Sequence, residues 1–165
     1  MTKIFLLDAL KAFTEEATKD LLMPVRMQKD DKEQPLPRAP DVYKMRLIKS
    51  SDAQKVAPYI IHGIITGRDS QTPNNRATGQ TVVRSVFCVY NEDEQEGSLM
   101  LLNLMERYRI ALLEKIMLED RYQLDMEDGL DLIIYPDDTA PYYAGEMVGT
   151  WIMPAVTRKV KEYVY

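Results

Sequence analysis

One histidine, His62, and one cysteine, Cys88, are all the chain offers for imidazole or thiol chemistry. His62 lies in an alternating, isoleucine-rich run. Nucleophilic catalysis through it would need a partner arrangement that no motif here announces, so a structural histidine is expected. With one histidine and one cysteine, a multi-histidine metal site is impossible. Cys88 has no second cysteine to pair with and sits among apolar residues, which predicts a buried, inert thiol in a reducing compartment.

The acidic stretch Asp125-Met-Glu-Asp-Gly-Leu-Asp131 invites comparison with a calcium loop. Aligning Gly129 with that loop's glycine puts Leu124 and Met126 at ligand positions, and Tyr135 where a bidentate glutamate belongs, so the comparison fails. There is no phosphate-binding G-x-x-x-x-G-K loop and no G-x-G-x-x-G fingerprint. Gly145 and Gly149 make a lone G-x-x-x-G, without meaning in a strand. Carboxylates are plentiful, and the sequence singles out no pair for acid–base work. The expectation is a protein with no catalytic residue, no cofactor and no metal: not an enzyme.

The elements that would position any site come from periodicity. Residues 4–22, within an N-terminal unit 1–23, carry Leu6, Leu10, Phe13, Ala17 and Leu21 at helical spacing. Pro24 follows, and residues 28–41 are a charged, then proline-rich connector expected to be extended and partly mobile. From Val42 the period becomes two, predicting strands over 42–48, 59–66 and 81–90. Between the last two, residues 67–80 hold almost nothing that can pack, including Arg68, Asp69, Asn74, Asn75 and Arg76. A structureless connection of this length is usually functional or disordered. Residues 98–118 form the clearest helix, with Ser98 as its cap. Its stripe is Leu101, Met105, Tyr108, Leu112 and Ile116, widened by Leu102, Leu104 and Leu113. That width predicts contact with a sheet and with something else as well. Strands follow at 122–124, 130–135 and 142–153, where two glycines on one face imply a close neighbour. The order predicts a single α+β domain, somewhat α/β-like. An antiparallel or mixed sheet carries one long helix and an N-terminal helix, with 42–156 as the core and 157–165 as a tail.

Composition narrows the classes. The 165 residues are 45% hydrophobic and 28% charged, as in ordinary globular proteins. No apolar run approaches the roughly eighteen residues of a membrane span. Asp8 and Lys11 interrupt the apolar N-terminus too soon for a signal peptide, so the chain is expected to stay where it is made. A net charge of −5 argues against phosphate-driven nucleic-acid binding. Acids gather at Glu92, Asp93, Glu94 and Glu96, and again between Glu119 and Asp138. Bases gather at Lys44, Arg46, Lys49 and Lys55, and at Arg158, Lys159 and Lys161. Each is explained singly by a solvated face. Together they also suit subunits docking a positive side onto a negative one.

Four phrases carry a family resemblance: Val86-Phe-Cys-Val-Tyr90, the run from Gln95 to Arg107, the run from Ile133 to Met147, and Trp151-Ile-Met-Pro154. Over residues 59–156 the chain resembles siphophage and prophage tail-terminator (tail-completion, head–tail joining) proteins of Gram-positive bacteria. The resemblance implies a compact subunit that forms a ring, often hexameric, at the head-proximal end of the tail tube. Its implied partners are itself, the tail tube protein and the head connector or stopper. Its implied place is the virion, after assembly in the host cytoplasm. It implies no catalytic residue, no membrane and no sequence-specific nucleic acid. The 67–80 stretch, with Arg68, Asp69, Asn74, Asn75 and Arg76, would order against a tube subunit on docking. Two alternatives stand beside this reading. One is a head-completion or stopper protein of the neck, and the other is a small prophage-encoded enzyme or regulator.

Overall fold

Two helices and a curled sheet of seven strands make up the described residues of this computed structural model, which are 2–47, 56–74, 76–136 and 139–156. In chain order they are α1 (Lys3–Thr18), β1 (Asp41–Lys44), β2 (Tyr59–Gln71), β3 (Ala77–Tyr90), α2 (Glu94–Lys115), β4 (Met117–Leu118), β5 (Tyr122–Leu124), β6 (Leu130–Ile134) and β7 (Tyr142–Met153). The sheet runs β1-β2-β3-β7-β5-β4, and β6 also pairs with β7. Only β1 and β2 run parallel, so the sheet is mixed and the fold α+β, as the order of elements predicts.

Both helices cover one face. Leu6 and Leu10 of α1, and Leu101, Leu104, Met105, Tyr108 and Leu112 of α2, pack on Ile60, Phe87, Met147 and Trp151. These side chains are almost wholly withdrawn from water, which supplies most of the driving force for the fold. Gly145 and Gly149 are the close approaches that the paired glycines imply. A Cβ on Gly145 would lie 2.8 Å from the Ile133 carbonyl oxygen and 2.9 Å from Met105 Sδ. A smaller cluster of Tyr59, Cys88, Tyr90 and Tyr142 occupies the opposite face. The connector is tied down at its ends. Met23 bridges to Arg38, and the Arg38 guanidinium donates to the carbonyls of Val56 (2.7 Å) and Pro58 (3.2 Å).

Several expected boundaries move. The long helix starts at Glu94 rather than 98, because Asp93 is the cap and its carboxylate accepts from the Glu96 N–H at 2.9 Å. Ser98 instead donates back to the Glu94 carbonyl from inside the first turn. The helix ends at Lys115, where Ile116 adopts φ 57°, and Met117–Leu118 become β4 rather than its last turn. α1 ends at Thr18 rather than 22, and β6 at Ile134 rather than 135. β1 stops at Lys44 because Met45 turns the chain at φ 64°, and Ile48 lies outside the described residues.

The largest correction concerns residues 67–80. They are no structureless loop: β2 and β3 continue through them as an antiparallel hairpin with pairs Arg68↔Gln80, Asp69↔Gly79, Ser70↔Thr78 and Gln71↔Ala77.

Candidate functional site

The two side chains with reactive potential are locked into the interior. His62 on β2 is fully buried between α1, β3 and the Tyr108 ring. Its Nε2 is 2.8 Å from Thr14 Oγ1 and its Nδ1 is 2.7 Å from Ser85 Oγ. Thr14 spends its single hydroxyl proton on the Leu10 carbonyl at 2.7 Å, so it can only accept from the histidine. His62 therefore carries its proton on Nε2, and Nδ1 accepts from Ser85. Burial pushes its pKa down to about 3, which keeps the ring neutral. Cys88 is buried on the other face, and burial raises its thiol to about 11, far from the thiolate needed for attack.

The acidic stretch after β5 is a turn held by its own carboxylate. Asp125 Oδ1 accepts from the Glu127 N–H (3.1 Å) and the Asp128 N–H (3.4 Å), and Asp128 meets the Thr150 hydroxyl. Among the described residues, no three His, Cys, Asp or Glu side chains come together as a metal-ligand group. No described helix is long and apolar enough to cross a membrane.

Two exposed features remain, and both are surfaces rather than pockets for chemistry. The first is the β2–β3 hairpin arm. β7 accompanies β3 only as far as Gly79↔Met153, and β1 accompanies β2 only as far as Lys44↔His62. Past His62, β2 is therefore an edge strand, exposed from Ile65 to Gln71, and only the last two pairs, Ser70↔Thr78 and Gln71↔Ala77, form a two-stranded tip. Its few side-chain contacts are local, such as Ser70 Oγ to Thr78 Oγ1 at 2.9 Å. At its tip the Thr72 N–H donates to the Arg76 carbonyl and the Arg76 N–H to the Thr72 hydroxyl. Of the five candidate residues, Arg68 and Asp69 stand on one strand, and Asn74 and Arg76 at the tip. Asn75 lies outside the described residues. Four of the five are thus brought to the far end of this hairpin and exposed there, Arg68 and Asp69 on its edge strand and Asn74 and Arg76 at its tip.

The second feature has no counterpart among the predicted site residues. The N-terminal half of α2, β6 and the start of β7 enclose a groove of about 450 Å³. Leu99, Leu102, Ile134, Pro136, Ala140 and Tyr143 give it an apolar lining. Gly97 makes room for Tyr143, whose ring would lie 2.2 Å from a Cβ placed there. Leu99 and Leu102 are 54% and 41% exposed, a large apolar area for a free surface. Leu99 also lines a neighbouring groove with Leu22 and Met100, so the apolar strip continues along α2. Glu94 lines the first groove and Glu96 the second, and among the described residues no lysine or arginine lines either.

β6 borders the groove, and among the described residues it pairs only with β7. The Tyr135 N–H bonds to the Ala144 carbonyl, so by antiparallel alternation Ile133 and Asp131 exchange bonds with β7. Leu130, Leu132 and Ile134 then point their backbone groups away from the sheet. The sequence signal for this surface was the excess width of the α2 stripe, in which Leu102 turns out not to be core. No protein-family model and no curated protein matches the chain.

Proposed function

We propose that this chain is a bacteriophage assembly protein, a tail terminator whose copies form a ring at the head-proximal end of the tail tube. The observation that carries the reading is the β2–β3 arm. Its β2 strand is exposed from Ile65 to Gln71 with its outer backbone edge open to a neighbour, and its last two pairs extend beyond any third strand. Such an element makes physical sense as a contact to another subunit. The apolar strip along α2 supports the same reading, because a ring requires two different complementary surfaces on every subunit. In this reading His62 and Cys88 serve the core, no substrate is transformed, and the working surface meets tube and connector proteins. The four phrases between Val86 and Pro154 that resemble tail-terminator proteins point the same way.

Native mass spectrometry and negative-stain electron microscopy test this, with and without the tube subunit. Closed rings that cap tube ends are expected. A chain that stays monomeric at every concentration and ignores tube protein would overturn the proposal. Capture of portal or adaptor subunits in place of the tube subunit would move it to a neck stopper.

A further inference from the structure

Among the described residues two strand edges stay unpaired, on opposite sides of one sheet. β6 pairs only with β7 and turns the backbone groups of Leu130, Leu132 and Ile134 outward. β2 loses its neighbour past His62, where Met45 ends the cover from β1. Across the hairpin tip the Thr72 N–H bonds to the Arg76 carbonyl. By alternation Ser70 and Arg68 then exchange bonds with Thr78 and Gln80 of β3, and Gly67 and Asp69 turn their backbone groups outward. Edges of this kind are templates for another strand.

The two edges fit one another. β2 runs antiparallel to β3, β3 to β7 and β7 to β6, so β2 and β6 have opposite directions. Rotation about an axis near the strand direction preserves this, so β2 of one copy meets β6 of another as an antiparallel pair. Setting Gly67 opposite Leu132 and Asp69 opposite Leu130 matches outward groups with outward groups. Arg68 then falls directly opposite Asp131. Through Arg68↔Gln80↔Ile152 on one side and Val148↔Asp131 on the other, both side chains lie on the sheet face away from the helices. Both are exposed, and among the described residues neither has an ion-pair partner. A register two residues nearer the tip would set Asp131 against Ser70. Two residues the other way, β6 would run into Met45, whose Sδ already accepts from the Ile64 N–H.

The stagger suits closure. Within one copy Leu130 is level with Ile64, through Gly149 and Val83, whereas in this register it meets Asp69 of the next copy. Each copy is thus displaced by about five residues, roughly 16 Å, across a width of about four strands, roughly 19 Å. The strands then tilt about 40° from the ring axis, inside the roughly 35–45° of closed sheets.

We propose that residues 65–69 of β2 pair antiparallel with β6 of the next copy, Arg68 facing Asp131, so that one sheet continues from copy to copy. This deepens the tail-terminator reading and rests on it. The contact is heterologous, a different edge on each side, as a ring requires. It also points the hairpin tip, with Arg76, toward the neighbour's turn bearing Glu127 and Asp128.

The test uses the full chain with Arg68→Cys and Asp131→Cys together, Cys88 being buried, under mild oxidation and non-reducing electrophoresis. Within one copy β3 and β7 separate these positions by at least about 14 Å, twice the reach of a disulfide, so any bond joins two copies. A ladder of covalent oligomers is expected, while each single variant gives dimers at most. Absence of the ladder would overturn the proposal, whether another partner or the chain's own C-terminal residues hold the β6 edge. So would an equal ladder from Arg68→Cys with Ile134→Cys, a pair that this register keeps apart. In parallel, Arg68→Glu or Asp131→Lys alone is expected to weaken self-association about threefold or more, and the two together to restore it. Failure to restore it would remove the facing pair and with it the register. Circular dichroism checks that these exposed substitutions leave the fold intact. If wild-type chains form rings but no ladder appears, this contact is wrong while the ring stands. If wild-type chains form no rings and bind no tube subunit, both readings fall.

Discussion

At the scale of single residues, the chain uses its one histidine as a neutral peg. Burial lowers the His62 pKa from 6.5 to about 3, whereas in the unfolded chain the ring regains its ordinary value. Between these limits the unfolded state binds the extra proton, so this group's contribution is complete above about pH 6.5 and is lost as pH falls. The slope from one such group approaches about 1.4 kcal/mol per pH unit. Asp20 and Glu106 are held below their ordinary values by hydrogen bonds to Arg107 and Arg109, so their effect begins only at lower pH, near the carboxylate range. Urea unfolding followed from pH 6.5 down to 4.5 therefore isolates His62, and a steady loss of stability is expected. His62→Gln should cost about 1–3 kcal/mol at pH 7 through the Ser85 and Tyr108 contacts, and should flatten that slope. An unchanged slope in the variant would assign the acid sensitivity to another group.

At the scale of elements, the sheet's tightest contact is where Gly145 lets β6 and α2 approach β7. Gly145→Ala would set a methyl carbon 2.8 Å from a backbone oxygen of β6, an atom that cannot move without parting the two strands. A loss of about 1–3 kcal/mol is expected, read as a fall of several degrees in the thermal midpoint. An unchanged midpoint would mean that β6 yields freely. The elements that pack were readable because their apolar residues repeat. β7 was placed at Tyr142–Met153 residue for residue, and the buried stripe of α2 from Leu101 to Leu112 came straight from its period. The arm was unreadable for the opposite reason. Thr66 to Gln71 and Thr78 to Gln80 alternate nothing, since much of the ribbon faces water and its pairing is made by backbone groups. β4 was missed because Met117 and Leu118 continue an apolar rhythm that only the positive φ at Ile116 breaks. The groove was half visible: the width of the α2 stripe predicted a further contact, but Ile134 and Tyr143 join Leu102 only through the fold.

At the scale of the whole molecule, the charges add little to the fold and would act chiefly in the proposed assembly. The described ion pairs are at the surface, such as Arg107 with Asp20 at 3.0 Å, and exposed pairs of this kind add little stability. The acids at the start of α2, Glu94 and Glu96, are exposed, and among the described residues no ion pair engages them. In the proposed ring the acids of one copy would meet bases of the next, which sets a salt dependence. Raising ionic strength from about 0.05 M to about 0.5 M shortens the screening length from roughly 14 Å to roughly 4 Å. Light scattering or sedimentation across that range should show self-association weakening by about tenfold, with slower association accounting for most of the change. An apolar contact alone would hold or strengthen with salt, because exclusion of salt from the surface favours burial. Weakening would assign the partner choice to the charges and the grip to the Leu99–Leu102 strip. Strengthening would leave the acidic cluster as a solvated face, and the apolar strip as the whole of the contact.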